Sequence, residues 1–292
     1  MNQETIESYK KAGRITSEAL RYAKSITKPG IPLLEISEKI EAKIKSLGGV
    51  LAFPINLSMD EVAAHFIPLD NKILASGLLK IDIGTYVNNC IADAAISLDL
   101  TPEKKYTKLI EASKEALENA IKIVKTGMEV RRIGKEIQET ITKYGFSPVI
   151  DLSGHQLQNG ILHSGLSIPN YDNLDKRKLE DSMVIAIEPF ATTGIGKIED
   201  GKPSGIYRLI EKKPQRIEKA KKILNFIEEN YQFRPFSKLW IEKEFGNSSL
   251  YLSMLESQNC LYQYPQLIES SKSPVSQAEH TILIKDKIVI TR

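Results

Sequence analysis

"YKKAGRITSEALRYAKSITKPGIPLLEISEKIEAKIKSLG", residues 9–48, lies without gaps over "YTKLIEASKEALENAIKIVKTGMEVRRIGKEIQETITKYG", residues 106–145, when the chain is shifted by 97 positions. The two stretches agree at 13 of 40 positions, among them Tyr9/Tyr106, Lys28/Lys125, Gly30/Gly127, Ile36/Ile133, Ile40/Ile137, Ile44/Ile141 and Gly48/Gly145. Average composition gives about two or three identities over this length. A shared amphipathic pattern inflates the count, but the matched Lys-x-Gly turns and terminal glycines point to duplication. Each copy reads as two helices. The isoleucines four residues apart line one face of the second helix, and the glycine after it is a C-terminal stop.

Strand-like segments follow each helix pair. They are "LLKIDIG" (78–84) and "IADAAISL" (91–98) in the first half, "ILHSGLSI" (161–168) and "MVIAIEPF" (183–190) in the second. The expected class is α/β (α+β), with two pseudo-symmetric α/β halves and a site along the seam between them. Residues 200–270 break the scheme with helical runs such as "RIEKAKKILNFIEENY" (216–231), and read as an inserted helical subdomain. Strand character then returns in "AEHTILI" and "KIVIT".

A chain of 292 residues, 41% hydrophobic and 26% charged, is an ordinary soluble protein by composition. No apolar run approaches the roughly 18 residues of a membrane span. The polar start "MNQETIESYKKAG" lacks the apolar core of a signal peptide, so a cytoplasmic protein with no membrane association is expected. Cys90 and Cys260 form no CxxC pattern and are expected to be reduced thiols. A net charge of +3 is too small to imply nucleic acid as the main partner, and no specific DNA binding is expected. Residues 201–270 carry 11 Lys/Arg against 8 Asp/Glu, so the surplus sits there. A solvated lysine-rich face is the first reading and contact with an anionic partner such as ribosomal RNA the second.

The ionisable residues inside apolar segments carry the functional case. A four-residue loop at 86–89 would make Asp82 and Asp93 direct antiparallel partners. Like charges opposed on a sheet repel, and a buried pair needs protons or a cation. The alternative is that Asp82 faces solvent, because Lys80 shares its face. Glu188 ends one apolar strand and Glu279 opens another. "DLSGHQLQNGILHSG" (151–165) holds two of the four histidines, and an Asn159-Gly160 hairpin turn would set His155 and His163 nearly opposite each other. Taken singly, each is more often a surface glutamate or a satisfied core histidine. Together, four carboxylates and one imidazole can hold two divalent ions and acidify a water between them. Oxygen-rich ligation with one histidine suits Co, Mn, Fe or Zn.

The markers "FPINLSMDEVAAHF", "KIDIG", "IADAA", "SGHQLQNGILHSG", "AIEPFAT" and "QAEHTILI", in this order and spacing, resemble the type II methionine aminopeptidases of the archaeal kind, over essentially the whole chain. The resemblance implies a pita-bread fold for residues 1–292, with the 200–270 insert widening the gap between Glu188 and Glu279. It implies two divalent ions per chain, held by Asp82, Asp93, His155, Glu188 and Glu279, with Asp93 and Glu279 bridging. A metal-bridging hydroxide would attack the first peptide bond and release the N-terminal methionine of nascent polypeptides. His65 and His163 resemble the two non-ligand histidines at the scissile amide, Glu188 a proton shuttle, and Phe53 and Leu162 walls of the methionine pocket. His280 is left as a bystander. The family commonly has Asp-Gly in the turn where this chain has Asn88-Asn89, and asparagine also tolerates such turns. A monomer is expected, and any ribosome contact would use the folded body, since no zinc-finger or polybasic extension is recognised. Two other readings stand beside it: a Xaa-Pro peptidase of the same fold, disfavoured by the insert and the "AAHF" and "AEHT" contexts, and a metal-free ribosome- or RNA-binding relative, which should have lost ligands.

Overall fold

A computed structural model describes residues 1–292, the Asp286 side chain excepted. The Asn2 side chain accepts from Thr5 N at 2.9 Å and caps α1 (Gln3–Ile26), satisfying a backbone donor the helix itself leaves free. Helix α2 (Leu33–Ser46) buries Ile36, Ile40 and Ile44 completely, and Gly48, at φ 77°, turns the chain out of it. The second pair is α3 (Thr107–Ile123) and α4 (Val130–Lys143), with Gly145 at φ 81° in the equivalent place. The end of α1 and both ends of α2 map onto α3 and α4 at the 97-residue shift.

The first half then adds β1 (Val50–Leu51), β2 (Asn56–Met59), β3 (Val62–Ala64) and the long hairpin β4 (Leu78–Val87) and β5 (Cys90–Asp99). Strand β4 is central, pairing with β1, β2 and β5. The second half adds β6 (Ser147–Pro148), β7 (Ser153–Gln158), β8 (Ile161–Pro169), β9 (Val184–Ile187) and β10 (Phe190–Thr192). Two separate apolar clusters result, one around α1, α2 and the β4–β5 hairpin, the other around α3, α4 and the second sheet. They interlock: Leu157, Leu162 and Val184 of the second half pack in the first cluster, and Leu78 of the first half packs in the second.

Residues 198–269 begin and end in strands, β11 (Ile198–Leu209) and, after the helices, β13 (Leu261–Glu269). Between them lie α5 (Glu218–Asn230), β12 (Phe236–Ser237), α6 (Lys238–Phe245) and α7 (Ser249–Ser257), which bury Ile223, Leu224, Ile227, Phe236 and Leu252 in a cluster of their own. Strand β13 pairs with β11 on one side and β3 on the other, tying this region to the first half. Arg234 adds a second tie, donating to Leu51 O at 3.2 Å while its guanidinium lies 4.5 Å over the Tyr86 ring. The chain closes with β14 (Val275–Gln277), β15 (His280–Leu283) and β16 (Ile288–Val289).

Candidate active site

The β4–β5 hairpin turns on two residues, Asn88 and Asn89, both in left-handed backbone (φ 47° and 64°), with Val87 paired to Cys90. This is the two-residue geometry that matches strand twist, and asparagine adopts it readily. The four-residue loop expected from sequence is therefore corrected. Asp82 pairs with Ala95 and Asp93 with Gly84, so the two aspartates are diagonal neighbours on one face. Diagonal placement leaves room for something between them. Lys80 shares that face but does not lead to solvent: it is 1% exposed, and its ammonium donates to Asp60 O at 2.9 Å.

Glu188 and Glu279 are placed by a second register. Strands β9 and β15 pair His280 with Ile187, and β10 and β14 continue the same alignment, pairing Phe190 with Gln277. Glu279 thus falls directly across from Glu188, at the break between two short ladders. Pro189, next along, accepts from Ala278 N at 3.2 Å but has no N–H to return. Glu279, at a non-hydrogen-bonded position of that register, points its N–H away from Glu188 and donates to Ala95 O at 3.0 Å, while the Thr281 hydroxyl accepts from Asp93 N and donates to Asp93 O (2.8 and 2.7 Å). Glu279 is thereby brought up against β5, with Glu188 across from it.

His155 sits in β7, paired with Ala186 on one side and Ser167 on the other. Two register shifts interrupt the β7–β8 pairing, so His155 pairs with Ser167 in place of Ser164, the partner a plain Asn159-Gly160 hairpin would give it, and lies further along the ladder from His163. Their rings nevertheless meet edge-on with centroids 4.4 Å apart. The Nε2 of His155 lies 3.6 Å from Glu188 Oε1 and 3.7 Å from Asp93 Oδ2. His65, at φ 60°, shares Nδ1 with Pro265 O at 3.2 Å and meets Tyr264 edge-on at 5.2 Å.

All nine residues singled out from the sequence line one cavity of about 260 Å³: Asp82, Asp93, His155, Glu188 and Glu279, with His65, His163, Phe53 and Leu162. His280 does not; its Nδ1 bonds to Thr291 Oγ1 at 2.9 Å. Ile206, Pro235, Tyr264 and Leu267 also line the cavity and were not anticipated. They sit in or beside β11 and β13, where nothing in the local pattern separates them from ordinary strand residues. A larger open cleft of about 940 Å³ beside α3 and α4 has mostly charged walls and includes none of the nine.

The electrostatics are those of a cation site. Burial, then repulsion from Asp82 and Glu188, pushes Asp93 well above the usual carboxylate range. Burial does the same to Glu279 and Glu188, and each is also repelled by neighbouring carboxylates. Burial holds His155 down to about 3 and His163 to about 4, so both imidazoles are neutral at pH 7. Asp82 Oδ1, Asp93 Oδ1 and Glu279 Oε1 are buried without a hydrogen-bond partner among the described residues. Orphaned carboxylate oxygens at such a density are costly unless a cation serves them. Donor atoms of Asp93, His155 and Glu279 lie within 4.8 Å of one another, close enough to share one ion. Oxygen donors with one neutral imidazole fit a divalent metal.

Residues 7–286 match the model of metallopeptidase family M24. The chain is 42% identical over 287 residues to the methionine aminopeptidase of Pyrococcus horikoshii, covering 96% of this chain and 97% of that protein. Among solved structures, the methionine aminopeptidase of Thermotoga maritima superimposes over all of this chain and 98% of its own, at TM-score 0.71 and 22% identity. A thermophilic Arx1 gives TM-score 0.82 at 14% identity, over 99% of this chain and 91% of its own. At such identities the two structures speak for the fold alone, which is the expected pita-bread arrangement.

Proposed function

This chain belongs to metallopeptidase family M24, and from that premise we propose that it is a metallo-aminopeptidase removing the N-terminal methionine of nascent polypeptides. One observation carries the reading to individual residues. Four carboxylates and a neutral imidazole meet with unserved acceptors in a small cavity that is also lined by Phe53 and Leu162. A charged floor beneath apolar walls suits a substrate whose first residue has a free amine and an unbranched apolar side chain.

In this reading Asp82, Asp93, His155, Glu188 and Glu279 would hold two divalent ions, Co, Mn, Fe or Zn, which when bound supply Lewis acidity and a nucleophilic water near neutral pH. The other roles belong to the chain itself. His163 donates an N–H to the oxygen of the scissile carbonyl as negative charge develops there. Its imidazole, held neutral by burial, keeps one N–H for this bond. His65, also held neutral by burial, faces the amide from the Tyr264 side and orients it. Glu188, close to His155 at the ladder break, takes the proton released on attack and passes it to the departing amine. Phe53 and Leu162 exclude water around the methionine side chain.

The reading extends to organisation. Residues 200–270 act as a helical subdomain within one catalytic domain, supported by their separate apolar cluster. The protein works as a monomer in the cytoplasm, and the lysine-rich face of residues 201–270 is where a ribosome would be met. Among the described residues no helix is long and apolar enough to cross a membrane. The deciding assay incubates metal-reconstituted protein with Met-Ala-Ser and, separately, with a Xaa-Pro dipeptide. Release of free methionine from the first alone is expected. Turnover of only the Xaa-Pro substrate would move the chain to the other peptidase class.

A further inference from the structure

Strands β11 and β13 run past the cavity, and their register extends the site outward by one step. Arg208 pairs with Tyr262 and Tyr207 with Gln263. Alternation along each strand then puts Arg208 and Tyr262 on the same face as Ile206 and Tyr264, which line the cavity. The rings form an unbroken series: His65 meets Tyr264 edge-on at 5.2 Å, Tyr264 meets Tyr262 edge-on at 5.1 Å, and the Arg208 guanidinium lies 5.4 Å over Tyr262. Arg208 is exposed and Tyr262 is 41% exposed, so this series ends at the mouth.

The charge at that end differs from everything inside. The charged residues lining the cavity are acidic apart from its histidines: Asp82, Asp93, Glu188 and Glu279, with Asp151, which accepts from Ile198 N. Arg208 is the cation that follows them outward, close enough to His163 for its charge to be felt there. No carboxylate pairs with it among the described residues. An arginine held on an aromatic ring keeps its fork of N–H donors free for a planar carboxylate.

We propose that Arg208 is a specificity-determining residue that binds an acidic side chain at the third or fourth position of the peptide substrate. This rests on the aminopeptidase reading above. With the first residue in the cavity and the scissile amide at His65 and His163, the rest of the peptide must leave through the mouth. Two ring-to-ring steps of 5.2 and 5.1 Å separate His65 from Tyr262. An extended peptide covers that distance in about three residues at ~3.3 Å each. Tyr262 serves as the positioning residue that keeps the guanidinium at the mouth.

The test uses the metal-reconstituted full chain and C-terminally amidated peptides, Met-Ala-Glu-Ser and Met-Ala-Ser-Glu, each against its glutamine counterpart. The readout is the Glu:Gln ratio of kcat/KM within each variant, which does not depend on the fraction of active protein. Wild type should favour one glutamate peptide by roughly three- to five-fold, the scale of a partly exposed ion pair. The preference should lie in KM and shrink in high salt. Arg208→Ala should bring the ratio to about one, Arg208→Glu should invert it and Arg208→Lys should keep part of it. A wild-type ratio of one with good turnover of the glutamine peptides overturns the role of Arg208 and leaves the aminopeptidase reading intact. So does a ratio unchanged in Arg208→Ala. Failure of metal-loaded protein to cleave any of the four overturns both.

Discussion

Gly84 stands opposite Asp93 in the β4–β5 ladder, and the ring of Phe53 occupies the space its side chain would take. A Cβ at Gly84 would lie 2.2 Å from Phe53 Cε1, 2.7 Å from Cδ1 and 2.9 Å from Cζ. Carbon atoms in contact prefer about 3.5–4.0 Å, so in Gly84→Ala the ring has to retreat by more than an ångström. Packed core lies on one side of Phe53 and the cavity on the other, so the ring moves into the cavity. The space lost there is close to that of one methylene, worth about 1–3 kcal/mol, or roughly 10- to 200-fold, in an apolar pocket. The expected result is a fall of that size in kcat/KM for Met-Ala-Ser, mostly through KM. The stability cost should stay near the lower end of the ~1–3 kcal/mol usual for overpacking, because the cavity gives the ring somewhere to go. Phe53→Leu removes Cε1 and Cζ, two of the three colliding atoms, and leaves a side chain that can turn its Cδ away, so the double variant should recover part of the loss, with a coupling of about 1–2 kcal/mol. Bound metal is measured in parallel, because an effect passing through Asp93 would lower it. A Gly84→Ala protein with wild-type KM, or a loss that Phe53→Leu leaves untouched, would refute the placement of Phe53 as a pocket wall.

His155→Ala should lower metal content and rate together, whereas His163→Ala should keep its metal and lose roughly 10²- to 10³-fold in kcat, the scale of a removed oxyanion donor; equal metal loss in the two would reverse the assignment. Thr281→Val, which strips two hydrogen bonds from the Asp93 backbone, should cost about 1–3 kcal/mol in thermal or denaturant unfolding and weaken metal binding, and wild-type behaviour would count against Thr281 as the support for Asp93. For pH, Asp93, Glu188 and Glu279 have folded values raised well above unfolded ones and Asp82 is pushed up to about 7, so their contribution is present at low pH and lost as pH rises through those values. The histidines, depressed by burial, act oppositely, but their contribution is complete once pH exceeds their unfolded value of about 6.5. Between pH 6.5 and 8 one group opposes the four carboxylates: burial lowers the Lys80 ammonium to about 7, and its contribution grows as pH rises. With four groups against one, metal-free Tm should fall, added metal should restore it and protons should be released on binding, while a metal-free Tm that climbs across this window would contradict the buried cluster.

The helices were legible because their signals are local. Isoleucines at spacing four and a glycine with positive φ depend on nothing beyond one turn of chain, and the 97-residue shift matches three helix ends. The hairpin was read two residues out of register because Asn88-Asn89 lacks the glycine that marks a two-residue turn. That error did little harm, for a slip of two keeps every side chain on its own face. Asp82 and Asp93 stayed together, as diagonal neighbours in place of direct ones. The β7–β8 irregularities, the shifts between His155/Gln156 and Gln156/Gln158, were not legible, since β7 also pairs with β9 on its other side and no local pattern in the hairpin marks where its ladder shifts.

A charged side chain inside an apolar strand contradicts its surroundings, and such local conflicts mark functional positions. That is why Asp82, Asp93, Glu188 and Glu279 stood out. Tyr264, Ile206 and Pro235 contradict nothing where they stand and reach the cavity only because β11 and β13 pair beside it. The same distinction accounts for the ladder break at Pro189. A continuous β9–β10 strand paired with β14–β15 would have closed its hydrogen bonds across the seam. Pro189 withholds the N–H that would return the bond from Ala278, so two ladders part where Glu188 and Glu279 face each other. The sequence "IEP" shows the proline beside the glutamate, but the partner that makes the break useful lies 91 positions away and is set by a register no local pattern contains.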